Sequence, residues 1–218
     1  MMRLVLVRHG ETEHNRGQLT LGRADVPLNE RGLAQAAALG RSFVEKPDAV
    51  FASPLQRAAA TARQIADAHG MDVLLDDRLI EMDVGEMEHL TRDELGLRYR
   101  DFLVEWMSDR CGDARMPGGE TLREVQERAW SFVADAAREH AGRTVVAVSH
   151  NFVILMLICR ALGLPIERFR RLRQTLASRT IIDVDGDGGV VVALNDVSHL
   201  VAHGLADDER DRRARSGR

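Results

Sequence analysis

The chain has 218 residues, 44% of them hydrophobic, which suits one large domain able to bury about 70% of the surface it would expose unfolded. A formal charge of -4, from 30 Lys and Arg against 34 Asp and Glu, excludes the overall basic surface that condenses on nucleic acid, although a phosphate pocket can still be locally positive. The two cysteines, Cys111 and Cys159, stand far apart and outside any C-x-x-C or metal-ligand spacing, so they read as reduced structural thiols of a cytoplasmic protein.

In chain order, the first strand begins at Arg3, which leaves no room for a signal peptide. Leu4-Val5-Leu6-Val7 is a continuous apolar run, the pattern of a strand buried on both faces, and it ends at His9. Asn29 is an N-cap candidate for an amphipathic helix carrying Leu33, Ala36, Ala37, Leu39 and Phe43, with a Leu28–Leu33 staple. Residues 48–52 form a second strand candidate, after which Ser53-Pro54 opens a helix with Pro54 at its first position and Arg57 in its first turn. Val73-Leu74-Leu75 is a short further strand. Thr121 and Glu124 have capping-box spacing before a long helix ended by Gly142.

Val145-Val146-Ala147-Val148 repeats the first apolar pattern and ends at His150. The apolar run from Phe152 to Cys159 falls short of the roughly 20 residues a membrane helix needs and reads as a core helix. Residues 180–184 and 190–194 flank Asp185-Gly-Asp-Gly-Gly, a hairpin at a sheet edge. The same segment imitates the start of a calcium loop, but Leu194 stands where that loop needs a bidentate Glu. A domain over residues 1–204 is therefore expected, followed by a charged, disordered tail over 205–218. Strands alternating with helices predict a mostly parallel sheet with helices on both faces, and ligands in such sheets bind beyond the carboxyl ends of the strands, where His9 and His150 fall.

Phosphoryl transfer needs cations around the phosphate oxygens, an in-line nucleophile and an acid for the leaving oxygen. Arg8-His9-Gly10-Glu11-Thr12 sets an arginine and a histidine at a strand end, before a glycine that lets backbone approach a ligand, and a second histidine follows Ser149. These residues, with Asn15, Asp25-Val-Pro-Leu28, Gly32, Gln35-Ala36, Ser53-Pro54-Leu55-Gln56-Arg57-Ala58, Thr61-Ala62, Arg78-Leu79-Ile80-Glu81, Pro117-Gly-Gly-Glu-Thr121 and Val148-Ser149-His150, resemble the histidine phosphatase superfamily, the phosphoglycerate-mutase-like fold.

The resemblance implies a three-layer α/β/α domain with a mostly parallel central sheet and an antiparallel edge strand. It implies that His9 becomes phosphohistidine, that Arg8, Arg57 and His150 bind the phosphoryl oxygens, and that Glu81 protonates the leaving group and then activates water. Asn15 would add a hydrogen bond to phosphate, and Leu21, Gly22 and Asn151 would border the substrate. No metal and no cofactor is implied, since three cationic groups can neutralise the phosphoryl charge. On this reading His9 is neutral, its second nitrogen donating to a backbone carbonyl, while His150 is largely protonated beside a bound dianion. A neighbouring phosphate raises the pKa of Glu81, and Arg8 and Arg57 oppose that.

Departures from the family pattern touch specificity. Met87 and His89 replace members of a tryptophan-glutamate-glycine turn and are expected to alter a pocket wall, Leu21 precedes Gly22 where a polar residue is common, and Asn151-Phe152 replaces a glycine. His14 and His89 read as surface histidines rather than metal ligands, because His9 and His14 lack the i, i+4 pairing of a zinc helix. Trp106 and Trp130 read as packing residues. The expected activity is metal-independent hydrolysis of a small phosphorylated metabolite. The alternatives are a phosphoglycerate mutase, which in this family usually carries a longer insertion between Glu81 and His150, and a non-catalytic phospholigand-binding module, which would have lost His9, Glu81 or an arginine. Neither a nucleic acid nor a membrane partner is expected.

Overall fold

The computed structural model describes residues 1–206 and gathers the apolar runs into one six-stranded sheet in the order β3-β2-β4-β1-β5-β6. β1 (Met2–Arg8) pairs in parallel with β4 (Thr144–Ser149), from Arg3↔Thr144 to Arg8↔Ser149. β2 (Ala49–Ala52) lies on the far side of β4 and β3 (Val73–Leu75) beyond it, both also parallel. β5 (Arg179–Asp185) runs against β1, and β6 (Gly188–Asp196) runs against β5.

The reversed strand is thus β5, one place in from the edge, and the edge strand β6 runs with β1. A tight hairpin imposes this order: Gly186, at φ +57, supplies the left-handed residue of the turn, and β6 folds back on the outer side of the strand that has already paired with β1.

Side-chain alternation divides the core into two layers. Leu4, Leu6, Val145 and Ala147 face α6 (Leu122–Glu139) and α7 (Asn151–Ala161). Val5, Val7, Val146 and Val148 face α2 (Glu30–Ser42) and α3 (Gln56–Asp67) through Leu39, Ala58, Ala62 and Ile65. Both faces are covered, the three-layer α/β/α arrangement that the unbroken apolar runs predict.

Local capping signals set several of the helix starts. The Asn29 side chain accepts from the Gly32 N–H at 2.8 Å, and Thr121 and Glu124 form the expected capping box. Two details differ from expectation. Leu33 is 52% exposed, because the buried face of α2 is formed by Gly32, Gln35, Ala36, Ala38, Leu39 and Gly40, so no staple holds its start. Helix α3 begins at Gln56 rather than Pro54, since the Leu55 backbone is extended, yet Arg57 still falls in its first turn.

Cys111 and Cys159 are buried and unbridged, and burial together with Glu167 pushes the Cys159 thiol up to about 11. Among the described residues no helix is long and apolar enough to cross a membrane. Leu205 and Ala206, placed in the expected tail, pack beside Leu200 and Ala38, and their carbonyls accept from Arg31. The rest of that tail, from Asp207, lies outside the described residues.

Candidate active site

The parallel register of β1 and β4 delivers both histidines to one place. The His9 N–H donates to the Ser149 carbonyl at 3.1 Å, and the His9 and His150 rings stand 5.0 Å apart between centroids. Both are buried. Beyond His9 the chain is pressed against α2: a Cβ on Gly10 would lie 2.6 Å from the Gly32 carbonyl oxygen, so both positions exclude a side chain.

His9 Nδ1 lies 2.7 Å from the Gly10 carbonyl oxygen. A carbonyl only accepts, so Nδ1 carries the proton and Nε2 keeps the lone pair. Burial, then Arg57 and Arg8, hold the His9 pKa well below its usual value, so the ring is neutral.

Arg57 is fully buried and its guanidinium is held by backbone: Nη1 donates to the Ala24 carbonyl and Nη2 to the Gly22 carbonyl, both at 2.7 Å. Its Nε is buried with no hydrogen-bond partner among the described residues. The carbonyls that hold it are themselves fixed by Glu88, whose carboxylate accepts from the Gly22 N–H at 2.6 Å, the Arg23 N–H at 2.9 Å and the Ala24 N–H at 3.2 Å. Gly22 therefore serves the site through Arg57 and Glu88, both its backbone groups being bonded within the protein. Arg8 Nη1 donates to the Gln174 carbonyl at 2.5 Å.

Glu81 is 4% exposed, with one carboxylate oxygen 2.8 Å from the Met82 N–H and the other 3.3 Å from the Phe152 N–H at the start of α7. Burial raises its pKa against the opposing pull of these amides, Arg57 and Arg8. The expected direction is therefore present in the protein alone, from desolvation rather than from a neighbouring phosphate. Arg128 of α6 fixes the segment before Glu81 by donating to the carbonyls of Arg78, Ile80 and Glu81, and it is anchored in turn by Glu120 at 2.9 Å.

The cationic form expected of His150 belongs to a site with a phosphate dianion beside it; the protein's own groups act in the other direction. Burial, then Arg57, His9 and Arg8, push its pKa well below the usual value, so it is neutral rather than cationic. Its Nε2 lies 2.8 Å from Ser53 Oγ, and its Nδ1 is buried with no hydrogen-bond partner among the described residues.

The remaining expected site residues sit around this centre. Asn15 turns its Oδ1 to the Thr12 N–H at 3.1 Å in a capping box that starts α1 (Glu13–Arg16). Leu21 is half-buried beside Gly22, and Asn151 is half-buried as the first residue of α7. Met87, expected on a pocket wall, is 3% exposed inside the main core, because the turn that carries it points its apolar side chain away from solvent. His89 takes φ +66, the left-handed conformation for which glycine is best suited, and its Nδ1 lies 2.9 Å from His14 Nε2. Trp130 is 4% exposed, and Trp106 stacks on Phe102. In sequence Ser53 stood out only through its motif and Glu88 only as the glutamate kept between Met87 and His89, and Arg128 carried no signal of function.

Among the described residues no group of three or more His, Cys, Asp or Glu side chains is arranged to hold a metal ion. Arg8 and Arg57 are the positive charges that act on both histidines, and Arg57 Nε and His150 Nδ1 are buried nitrogens with no hydrogen-bond partner among the described residues.

The profile of the histidine phosphatase superfamily (branch 1) matches residues 4–197. Phosphoserine phosphatase 1 of Hydrogenobacter thermophilus is 32% identical over 92% of this chain and 95% of that protein. A protein of Enterobacter sp. called probable phosphoglycerate mutase GpmB is 36% identical over 96% of this chain and 100% of its own length. Among solved structures, Bacillus stearothermophilus YhfR superposes with a TM-score of 0.85 at 30% identity, covering 92% of this chain and 100% of that one.

Proposed function

The chain belongs to branch 1 of the histidine phosphatase superfamily, and on that premise we propose that it hydrolyses the phosphate monoester of a small metabolite, without a metal, through a phosphohistidine on His9. The observation that carries this reading is the Nδ1 bond from His9 to Gly10, which leaves Nε2 as an unprotonated nucleophile in the field of Arg57 and Arg8.

In the first step His9 Nε2 bonds to phosphorus as the bond to the ester oxygen breaks. Glu81, protonated at the outset because its pKa is raised, gives its proton to the leaving oxygen. The ring becomes cationic, and the Gly10 carbonyl stabilises it through Nδ1–H. In the second step the Glu81 carboxylate takes a proton from water, the water oxygen bonds to phosphorus and the N–P bond breaks. Phosphate leaves with His9 neutral and Glu81 protonated again. Arg8, Arg57 and His150 bind the phosphoryl oxygens throughout, and because their donors are already fixed by the protein, little reorganisation accompanies the transition state. Asn15 adds a donor through Nδ2, its Oδ1 being held by the Thr12 N–H, and Leu21, Gly22 and Asn151 border the substrate. Cytoplasmic location follows from the same reading.

The relative called a probable phosphoglycerate mutase makes isomerisation the second reading. Both are tested by incubating the purified protein, in chelator, with an aryl phosphate and a panel of phosphorylated metabolites that includes phosphoserine and 3-phosphoglycerate. Phosphate release that survives chelator and disappears in His9→Ala supports the hydrolase. Isomerisation of phosphoglycerate with little phosphate release overturns it in favour of the mutase, and absence of both overturns the enzyme reading.

A further inference from the structure

We infer that Ser53 is a positioning residue that places the ring proton of His150 on Nδ1, so that this histidine meets a phosphoryl oxygen as a donor. The inference rests on the proposed phosphatase site and assigns the part His150 plays in it.

Ser53 is fully buried at the junction of β2 and α3, and its hydroxyl makes two contacts. Its oxygen accepts from the Leu55 N–H at 3.3 Å, in the turn that starts α3, and it lies 2.8 Å from His150 Nε2. A serine hydroxyl has one proton and two lone pairs. With one lone pair given to Leu55, the hydroxyl can donate to Nε2, which leaves the ring hydrogen on Nδ1, or accept from Nε2–H, which leaves the hydroxyl hydrogen without an acceptor among the described residues. The first arrangement is the one assigned, because it alone gives the ring a donor on the side turned from Ser53, which the proposed phosphate site requires. Nε2 must then be the unprotonated nitrogen, and a neutral imidazole with Nε2 bare carries its hydrogen on Nδ1.

The buried Nδ1 without a protein partner is therefore an N–H donor. Because the two ring nitrogens point in widely different directions, a ring whose Nε2 faces Ser53 turns Nδ1 away from Ser53. The ring itself lies 5.0 Å from that of His9, between centroids, so this donor belongs to the space around the nucleophile. The opposite tautomer would aim a lone pair at an anionic oxygen. Ser53 thus acts on the phosphate through His150, as partners behind metal-bound histidines fix their tautomer.

The test is histidine 15N NMR on the ligand-free protein near pH 8, with the His150 signals assigned by their loss in His150→Asn. The wild-type protein is expected to show the Nδ1–H tautomer. Ser53→Ala is expected to shift His150 toward Nε2–H and to weaken inhibition by orthovanadate about tenfold, and Ser53→Thr, which keeps the hydroxyl, is expected to restore both. An Nε2–H tautomer in the wild-type protein overturns the inference. So does a Ser53→Ala protein that keeps both the Nδ1–H signal and its vanadate affinity. Should Ser53→Ala fail to fold, the wild-type spectrum and that of Ser53→Thr decide alone. The tautomer is read without turnover, so a protein with the expected spectrum and no phosphatase activity would fault the functional reading and leave this one standing.

Discussion

Gly32 lies against the backbone of Glu11 so closely that a Cβ there would stand 2.0 Å from the Glu11 carbonyl oxygen and 2.7 Å from its amide nitrogen. The same stretch is tied down by Gln35, which accepts from the Glu11 N–H at 2.9 Å, and by Asn29, which donates to the Glu11 carboxylate at 2.9 Å. Helix α2 is thus the wall on which the loop after His9 rests. Gly32→Ala is expected to push α2 off that loop, costing about 3 kcal/mol by overpacking and lowering kcat together with the denaturation midpoint. Urea unfolding alongside phosphate-release assays checks it, and an alanine variant of ordinary stability would show that the contact yields easily.

The paired protonation states of His9 and Glu81 predict a bell-shaped profile for kcat/KM. The nucleophile is lost as pH falls through the His9 pKa, which burial and the arginines hold below the usual value near 6.5, so the acid limb lies below that pH. The acid is lost as pH rises through the Glu81 pKa, which burial raises. Glu81→Gln is expected to remove the basic limb and to cut turnover of alkyl phosphates by about 10²- to 10⁴-fold, with a smaller loss for aryl phosphates, whose leaving oxygen needs less protonation. An equal loss for both substrate types would exclude Glu81 as the proton donor.

Arg128 joins three successive parts of the acid-bearing segment to α6. It donates to the carbonyls of Arg78, Ile80 and Glu81, and Glu120 holds it from the other side. Arg128→Met removes the donor to the Arg78 and Ile80 carbonyls and leaves Arg23 as the cation beside Glu120 and the Glu81 carbonyl, an expected cost of about 2 kcal/mol. Because Glu81 loses its support rather than its carboxyl group, kcat should fall while the vanadate inhibition constant changes little. A variant in which both constants move equally would place Arg128 on the anion instead.

The parts of this molecule that sequence reveals are those made by neighbours in the chain. The strands around Val5 and Val146, the Asn29 cap and the Thr121 capping box depend on local pattern, and each lies where that pattern puts it. His9 and His150 were identifiable because each follows an apolar strand. The contact between His150 and Ser53 spans 97 positions and that between His14 and His89 spans 75, and no spacing rule connects residues so far apart. Leu33 misleads for a related reason: the close approach of Gly32 to Glu11 rotates α2 so that the small residues face inward and the leucine faces solvent.

Stability should respond to pH through the same buried groups that set activity. His9 and His150 have folded-state pKa values pushed well below the usual range by burial, so they stay neutral in the native protein when the unfolded chain takes up protons. Their contribution is fully present above about pH 6.5 and is lost as pH falls toward the folded values. Glu81 acts in the opposite sense: its raised folded pKa gives stability that is present below the unfolded carboxyl value near 4.3 and is lost as pH rises through the folded one. Between about pH 4.5 and 6.5 the two slopes oppose each other. Glu81→Gln removes the opposing slope, so its urea midpoint is expected to fall more steeply from pH 6.5 to 5 than that of the parent protein. His150→Asn removes part of the histidine contribution and is expected to flatten the fall. If all three proteins lose stability in parallel over this interval, the titration of these residues does not govern it, and the surface carboxylates must.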